Sequence, residues 1–192
     1  MDKRIDTHRT FIAIEFPSDT RARIGAHIQQ LRREFPDVRA SWSREENTHL
    51  TVKFLGNVPD ARIDSVSKAA AQAASGMTPF ELTISGCGSF PPHGRPKVLW
   101  VGIDTSDPLL RLQSALEDSY AEAGFAREAR AYHPHLTIGR LRDSRDSREL
   151  AERHKDLGFR PEIVPISEVV VFRSELRAEG ANHSPISRHE LR

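Results

Sequence analysis

The sequence predicts a duplicated, two-lobed fold of alternating strands and helices, and three observations indicate it. The word His-Leu-Thr followed by an aliphatic residue occurs twice, at 49–52 and at 135–138. Each half of the chain reads strand, helix, His-Leu-Thr strand, helix, strand. The opening strand precedes its histidine by 38 residues in the first half (Phe11 to His49) and by 36 in the second (Leu99 to His135). Self-similarity over so long a period is typical of duplication.

Composition is that of a globular protein able to bury a sizeable core. Of 192 residues, 29% are charged and 38% are hydrophobic. A net charge of +1 argues against a protein that coats long nucleic acid, but it allows an enzyme that grips one or two phosphates. The single cysteine, Cys87, excludes an internal disulfide and is expected to be a small packed residue in a reducing compartment. No signal peptide or membrane span is recognised, so we expect a cytoplasmic protein.

Apolar spacing and Pro, Gly and Asp residues set the predicted elements of the first half. A strand is predicted over 9–16, and apolar residues three and four apart predict a helix over 19–35. The first His-Leu-Thr strand runs to about 55, an alanine-rich helix ends at Gly76, and a strand follows over about 80–84. We expect a loop rich in glycine and proline from 85 to 96.

The second half repeats this order. The predicted elements are a strand over 97–103, a helix between Ser106 and Gly124, the second His-Leu-Thr strand over 133–141, a helix over 149–157 and a strand over 168–175. The tail from 176 is expected to add a hairpin or an edge strand. We treat residues 1–192 as one domain with lobes over about 9–84 and 97–192, and leave open whether the lobes exchange strands. A pseudo-two-fold axis would bring the two His-Leu-Thr strands face to face across a cleft.

The repeated word places an imidazole beside a hydroxyl, since residues two apart on a strand point to the same face. An imidazole has a pKa of about 6.5, so two of them can act as acid and base in one displacement at a phosphodiester. The threonine hydroxyls can donate to the non-bridging oxygens. This chemistry demands no metal.

Two other interpretations of the words stay open at this point. A lone His-x-Thr strand is usually just a polar exposed face, although two copies in equivalent positions argue against that. His133 lies two residues before His135, so a His-x-His metal pair is an alternative. The sequence has no HExxH helix and no cysteine cluster to accompany it.

The residues around both words resemble those of the two-histidine (2H) phosphoesterase superfamily. They are similar in particular to the RNA 2′,3′-cyclic phosphodiesterases, also called 2′-5′ RNA ligases. The resemblance covers nearly the whole chain as an ordered set of segments. Those segments are 10–14 with Pro17, Trp42 with 47–56, 95–100, 133–140, and 174–176 with Gly180. The chain departs from the family at Gly139, where alanine is common, and at 181–183 (Ala-Asn-His), where an aromatic residue is common.

The resemblance implies an α+β fold whose two antiparallel sheets line a central cleft, with helices on the outside. It implies hydrolysis of an RNA terminal 2′,3′-cyclic phosphate to a 2′-phosphomonoester. His49 would donate a proton to the leaving 3′ oxygen, His135 would accept one from water, and Thr51 and Thr137 would hold the phosphate. The residues alone do not fix which histidine gives the proton. The implied partner is an RNA end, with no cofactor, no metal and no membrane, and we expect a monomer.

Further residues are candidates for substrate binding. Lys53 shares the face of His49 if strand alternation holds. Arg95 lies at a loop-to-strand junction, and Arg140 reaches the site only if its strand twists or bulges. Trp42 and Phe54 could stack on a base, but we expect both to pack in the core. Five other histidines are expected to be solvated or in polar loops: His8, His27, His93, His154 and His189.

Three functions remain open. The first is the RNA-end cyclic phosphodiesterase, with reversible ATP-independent 2′-5′ ligation as the same chemistry when an RNA hydroxyl replaces water. The second is a 2H enzyme acting on small cyclic nucleotides or on 2′-5′ oligoadenylate. The third is a non-catalytic module that binds RNA ends, which the paired histidines argue against, because binding alone needs no proton-transfer groups.

Overall fold

The structure, a computed structural model, describes residues 6–142, 146–177 and 180–192. None of the helices in those ranges is both long and apolar enough to span a membrane. The strands are β1 (Thr7–Glu15), β2 (Ala40–Trp42), β3 (His49–Pro59), β4 (Phe80–Phe90), β5 (Val98–Ile103), β6 (His135–Leu141), β7 (Glu162–Ile166), β8 (Glu168–Arg177) and β9 (Gly180–Glu190). The α-helices are α1 (Ser18–Glu34), α2 (Ile63–Ser75), α3 (Asp107–Glu122) and α4 (Ser147–Leu157).

The strands form two sheets. Sheet A has the order β3-β1-β8-β9, and sheet B has the order β2-β6-β5-β4-β7. All the neighbouring strands pair antiparallel. The predicted α+β class with two antiparallel sheets is therefore confirmed. Each sheet contains strands from both halves of the sequence, since β8 and β9 join sheet A while β2 and β4 join sheet B.

The helices pack against one face of each sheet. In sheet A, α2 lies against β8 and β9 and α3 against β3; in sheet B, α1 lies against β6 and α4 against β4. Aliphatic residues of both sheets and of the helices share one buried core, including Leu50 of β3 and Leu136 of β6. Because side chains alternate along a strand, His49 and His135 point away from this core. We call the face that carries each of them the histidine face of its sheet.

The structure differs from the sequence-based expectation at β4 and β7 and agrees with it at the tail. β4 continues to Phe90, where a loop was expected from Ser85, because Cys87–Phe90 pair with β5. β7 was not predicted, since Pro161 and Pro165 suggest an irregular segment; it lies at the edge of sheet B, where proline is tolerated. The tail forms the edge strand β9 of sheet A, as expected.

Candidate active site

The two His-Leu-Thr words begin strands of different sheets that lie close to each other. His49 and Thr51 open β3 of sheet A, and His135 and Thr137 open β6 of sheet B. Cα atoms of β3 and β6 come within 8 Å of one another. The Tyr132 hydroxyl, just before β6, donates to the Thr51 carbonyl at 3.2 Å and ties the two segments together.

Both words contain a β-bulge at the same position. Against β1, Thr51 pairs with Ala13 and Lys53 with Ile12, so Val52 has no partner residue. Against β5, Thr137 pairs with Trp100 and Gly139 with Leu99, so Ile138 has none. These are the equivalent fourth residues of the two words. A bulge inserts one extra residue and reverses the alternation of side chains beyond it.

The bulge in β3 turns Lys53 away from the histidine face. Its Nζ donates to Glu117 Oε2 of α3 at 2.7 Å and to the Ala126 carbonyl at 3.1 Å, and its side chain is only 2% exposed. The expectation that Lys53 shares the face of His49 is therefore wrong, because it assumed unbroken alternation. A buried and paired ammonium in this position does not reach a phosphate on the other face.

The same bulge brings Phe54 onto the histidine face. Its ring lies 5.9 Å from that of Phe11, which in turn stacks on His49 at 4.8 Å, and Phe54 is 56% exposed. The expectation that Phe54 packs in the core is wrong. Trp42 packs in part against the core, as expected.

Arg140 occupies the position in β6 that Phe54 occupies in β3. Beyond the bulge Gly139 is buried and Arg140 is exposed, so the arginine lies on the histidine face of sheet B. Its charge is one of the smaller causes that lower the pKa of His135. Arg95 is exposed in the loop between β4 and β5, outside either strand.

A backbone carbonyl two residues upstream lies near each imidazole. His135 Nδ1 lies 2.7 Å from the His133 carbonyl oxygen, and the backbone of Asn47 partly opposes the lowering of the pKa of His49. A carbonyl only accepts, so Nδ1 of His135 carries its proton and Nε2 remains for chemistry. In the described ranges no third metal-ligating side chain joins His133 and His135.

Aromatic rings enclose His49. Phe11 stacks on it, Phe172 lies 6.0 Å away, and the ring of His183 meets it edge-on at 5.2 Å. His183 belongs to β9, and the Asn47 side chain fixes that strand by donating to the Ala181 carbonyl at 2.8 Å. Sequence reasoning did not place His183 in the site; the one signal was that 181–183 departs from the family pattern.

His135 has its own aromatic neighbours in sheet B. Phe90 meets its ring edge-on at 5.0 Å and lies 5.5 Å from Trp100. Trp100 pairs with Thr137 across the sheet and so shares its face. Sequence reasoning placed Phe90 in a loop and missed this contact.

Burial lowers the pKa of both histidines. The pKa of His49 falls to about 4, first because burial disfavours the imidazolium and second because His183 lies beside it. The pKa of His135 is also lowered, mainly by burial, with smaller effects from Arg140 and His133. Both rings are therefore harder to protonate than an ordinary solvent-exposed imidazole.

Two antiparallel sheets with equivalent His-x-Thr bulges define a two-histidine class of α+β protein, and comparison with known sequences identifies the family. The model of the 2′-5′ RNA ligase superfamily matches residues 16–177. The chain belongs to this superfamily. It is 32% identical to the RNA 2′,3′-cyclic phosphodiesterase of Thermotoga maritima over 90% of this chain and 89% of that one. The corresponding protein of Methanothermobacter thermautotrophicus is 31% identical over 90% and 92%.

Solved structures show the same fold. A protein of Thermus thermophilus superposes with a TM-score of 0.77 at 22% identity, over 96% of this chain and 98% of that one. Escherichia coli LigT complexed with 3′-AMP gives a TM-score of 0.74 at 24% identity, over 97% and 99%. At these identities the likeness concerns the fold.

Proposed function

We propose that this protein is an RNA 2′,3′-cyclic phosphodiesterase that hydrolyses the terminal cyclic phosphate to a 2′-phosphomonoester, with His49 and His135 as its acid–base pair. The observation that carries the proposal is that both words have one local structure. Each has the same bulge, and each imidazole has the backbone carbonyl two residues upstream near its ring. A polar surface face would not need that construction in two separate sheets. The names of the relatives above agree with this activity.

The reaction follows from two imidazoles on opposite sides of a phosphate. His135 takes a proton from water as the water oxygen attacks phosphorus, and the bond from phosphorus to O3′ breaks. His49, protonated, gives its proton to O3′, which leaves a 3′-hydroxyl and a 2′-phosphate. Each transfer contributes roughly 10²–10⁴-fold to the rate. The Thr51 and Thr137 hydroxyls have no hydrogen-bond partner within 6–142, 146–177 and 180–192, and they would donate to the non-bridging oxygens.

The RNA strand would lie along the histidine faces. Exposed Phe54, next to Phe11, offers a stacking surface for a base. Arg140 offers a guanidinium for a phosphate beside His135. Arg95 would meet the strand from the loop between β4 and β5. Lys53 has no part in this proposal because it is buried against Glu117.

The substrate class separates this proposal from its alternatives. We take RNA ends as the partner and a monomer as the working unit. The same reaction with the 5′-hydroxyl of an RNA end in place of water would break the bond from phosphorus to O3′ and give a 2′-5′ linkage without ATP. Rates on a cyclic-phosphate RNA oligomer, a 2′,3′-cyclic mononucleotide and 2′-5′ oligoadenylate would rank the candidate substrates. Tight RNA binding without turnover would indicate the non-catalytic module instead.

The test is a product assay on RNA ending in a 2′,3′-cyclic phosphate, run in EDTA. We expect a 2′-phosphate product from the wild type. His49→Asn and His135→Asn should each lower kcat by roughly 10²–10⁴-fold, because each removes one proton transfer. His93→Asn, in the exposed loop after β4, is the matched control and should keep full activity.

Folding of the variants is checked by circular dichroism and thermal unfolding. Full activity in either His49→Asn or His135→Asn would contradict the proposed pair. A 3′-phosphate product would contradict the proposed leaving oxygen.

A further inference from the structure

A second group of histidines lies on the helix side of sheet B, away from His135. His27 of α1, His154 of α4 and Cys87 of β4 each present one metal-ligating atom, and these atoms all lie within 4.8 Å of one another. The sequence-based expectation that His27 and His154 are solvated is wrong. They are 8% and 0% exposed, because α1 and α4 both pack against this sheet. Three separate elements thus converge on one buried point.

Hydrogen bonds fix how the two imidazoles face this point. His154 Nε2 lies 3.0 Å from the Trp100 carbonyl oxygen, which can only accept, so Nε2 carries the proton. In the neutral ring Nδ1 then holds a lone pair, and it faces His27 Nε2 at 2.9 Å. A ring nitrogen oriented by a backbone carbonyl on its far side is the usual arrangement of a metal-ligating histidine.

Cys87, in β4, is the third member of this cluster. It pairs with Val101 of β5, so its side chain leaves the sheet on the side opposite Gly88, which lies under the Trp100 ring. The Trp100 ring shares a face with Thr137, whereas Cys87 faces α1 and α4. Burial raises the pKa of the thiol to about 12, which keeps it protonated while no cation is beside it.

We propose that His27, Cys87 and His154 bind a transition-metal ion on the helix side of sheet B, with Zn²⁺ as the best match and one water molecule as its fourth ligand. Zn²⁺ takes imidazole nitrogen at about 2.0–2.1 Å and thiolate sulfur at about 2.3 Å, which ligand atoms this close can meet through small side-chain rotations. Cys87 loses its proton to solvent and binds as thiolate. His27 moves its proton from Nε2 to Nδ1 and binds through Nε2, so one proton is released per ion.

The site is separate from the proposed catalysis. It lies on the other face of sheet B from His135, and it joins α1 and α4 to β4. A bound ion would therefore stabilise the packing of these helices on the sheet, while hydrolysis of a cyclic phosphate needs no metal. Failure of the metal site would leave the two-histidine mechanism unaffected, and failure of that mechanism would leave the metal site unaffected.

The experiment is a titration of the chelator-treated full chain with Zn²⁺ and with Co²⁺. We expect one equivalent to bind, the melting temperature to rise with Zn²⁺, and the Co²⁺ form to show a sulfur-to-metal charge-transfer band. Cys87→Ser should abolish that band and weaken Zn²⁺ binding roughly 100-fold or more, since loss of even an outer-shell partner costs roughly 10–100-fold. His27→Gln should weaken binding similarly.

The controls test the location of the ion. His135→Asn removes the alternative His-x-His pair and should leave the Co²⁺ spectrum unchanged, as should His93→Asn. Zn²⁺ should also protect Cys87 from a thiol reagent in the wild type, a measurement that needs no variant to fold. Binding without a sulfur band, binding unchanged in Cys87→Ser, binding lost in His135→Asn, or no stoichiometric binding would each overturn the proposal.

Discussion

At the scale of single residues, the proposed catalytic role of His49 and His135 is supported by the similar surroundings of the two rings. The His135 ring donates to the carbonyl two residues upstream, the backbone of Asn47 acts on His49 from the equivalent place, and each ring lies against an aromatic ring. The carbonyl fixes the orientation of the His135 ring, and the aromatic rings keep water from both imidazoles. Removal of water lowers the pKa of both rings below their usual value, and this has a measurable consequence.

We expect kcat/KM to have its optimum below about pH 6.5, the ordinary pKa of histidine. An acid–base pair of histidines must hold one proton between them. Its activity is therefore highest at a pH between the two pKa values, whichever ring holds the proton. The pKa of His49 lies at about 4 and that of His135 below its usual value. Since kcat/KM reports the free enzyme, activity should fall up to about tenfold per pH unit on the alkaline side.

A pH series on the cyclic-phosphate RNA measures this profile. His183→Asn serves as a check, because His183 lowers the pKa of His49, so its removal should move the acid limb to higher pH. An optimum at or above about pH 7.5 would contradict the burial argument, since at least one imidazole would then have a raised pKa.

The sequence alone predicts the residues of the candidate site that belong to the two repeated His-Leu-Thr words. His49, Thr51, His135 and Thr137 were chosen because they recur at equivalent positions. His183 and Phe90 could not be found in that way. They reach the imidazoles through strand pairings between distant segments, β9 with β8 and β4 with β5, and single-residue patterns do not report such pairings.

At the scale of the strands, the bulges decide which side chains lie on the histidine faces. Strict alternation would place Lys53 on the histidine face of sheet A and Arg140 on the opposite face of sheet B. In the structure Lys53 points away from the histidine face and Arg140 lies on it, because Val52 and Ile138 have no partner residue in the neighbouring strand. A bulge depends on the partner strand, so the sequence of one strand does not show it. Two predictions follow from the reversal, one for each residue.

We expect Arg140→Gln to weaken RNA hydrolysis mainly through KM and to reduce its dependence on salt. One lost phosphate contact lowers the slope of log affinity against log salt by about 0.7 for a single strand. The alkaline limb of kcat/KM should also move to higher pH, because Arg140 lowers the pKa of His135. KM measured across a salt series provides the slope.

Lys97→Gln is the matched control for Arg140. Lys97 is an exposed basic residue in the segment that leads into β5, next to the loop that contains Arg95. The Lys97→Gln variant should keep the alkaline limb of kcat/KM at the same pH, because Lys97 is not among the groups that shift the pKa of His135. An Arg140→Gln variant with an unchanged salt slope and pH profile would remove Arg140 from the site.

We expect Lys53→Met to destabilise the fold by about 3–5 kcal/mol, because it leaves the Glu117 carboxylate buried without its cation. Glu117 is 9% exposed, and its Oε2 also accepts from the Glu128 amide at 3.1 Å. The double variant Lys53→Met with Glu117→Leu should recover part of this loss, since it buries no unpaired charge. Urea unfolding with an unchanged m-value measures both.

The matched control removes an exposed ion pair of the same helix. Arg127 donates to Asp118 at 2.6 Å, with side chains 57% and 58% exposed. Arg127→Met should therefore change the free energy of unfolding by less than about 1 kcal/mol. If Lys53→Met cost no more than Arg127→Met, Lys53 would not be the buried structural cation described above.

At the scale of the whole molecule, the duplication of the sequence is not a division of the structure into two halves. Sheet A takes β1 and β3 from the first half and β8 and β9 from the second, and sheet B takes β2 and β4 from the first and β5, β6 and β7 from the second. Local patterns predicted most of these strands. They could not predict which sheet each strand joins, because that choice depends on long-range pairing between segments of opposite halves.

This interlocking arrangement predicts how the chain behaves when it is cut. Residues 91–95 form an exposed loop between β4 and β5, so separate fragments 1–92 and 93–192 would keep every described helix and strand intact. Neither fragment contains a complete sheet, and each would expose strand edges and core residues that the other covers.

We therefore expect each fragment alone to lack a cooperative thermal transition, while an equimolar mixture regains the transition and the cyclic phosphodiesterase activity in a concentration-dependent manner. Circular dichroism and the product assay measure both, with the uncut chain as reference. A fragment that unfolds cooperatively by itself would instead mean that one sequence half is an autonomous lobe, contrary to the strand order of the sheets.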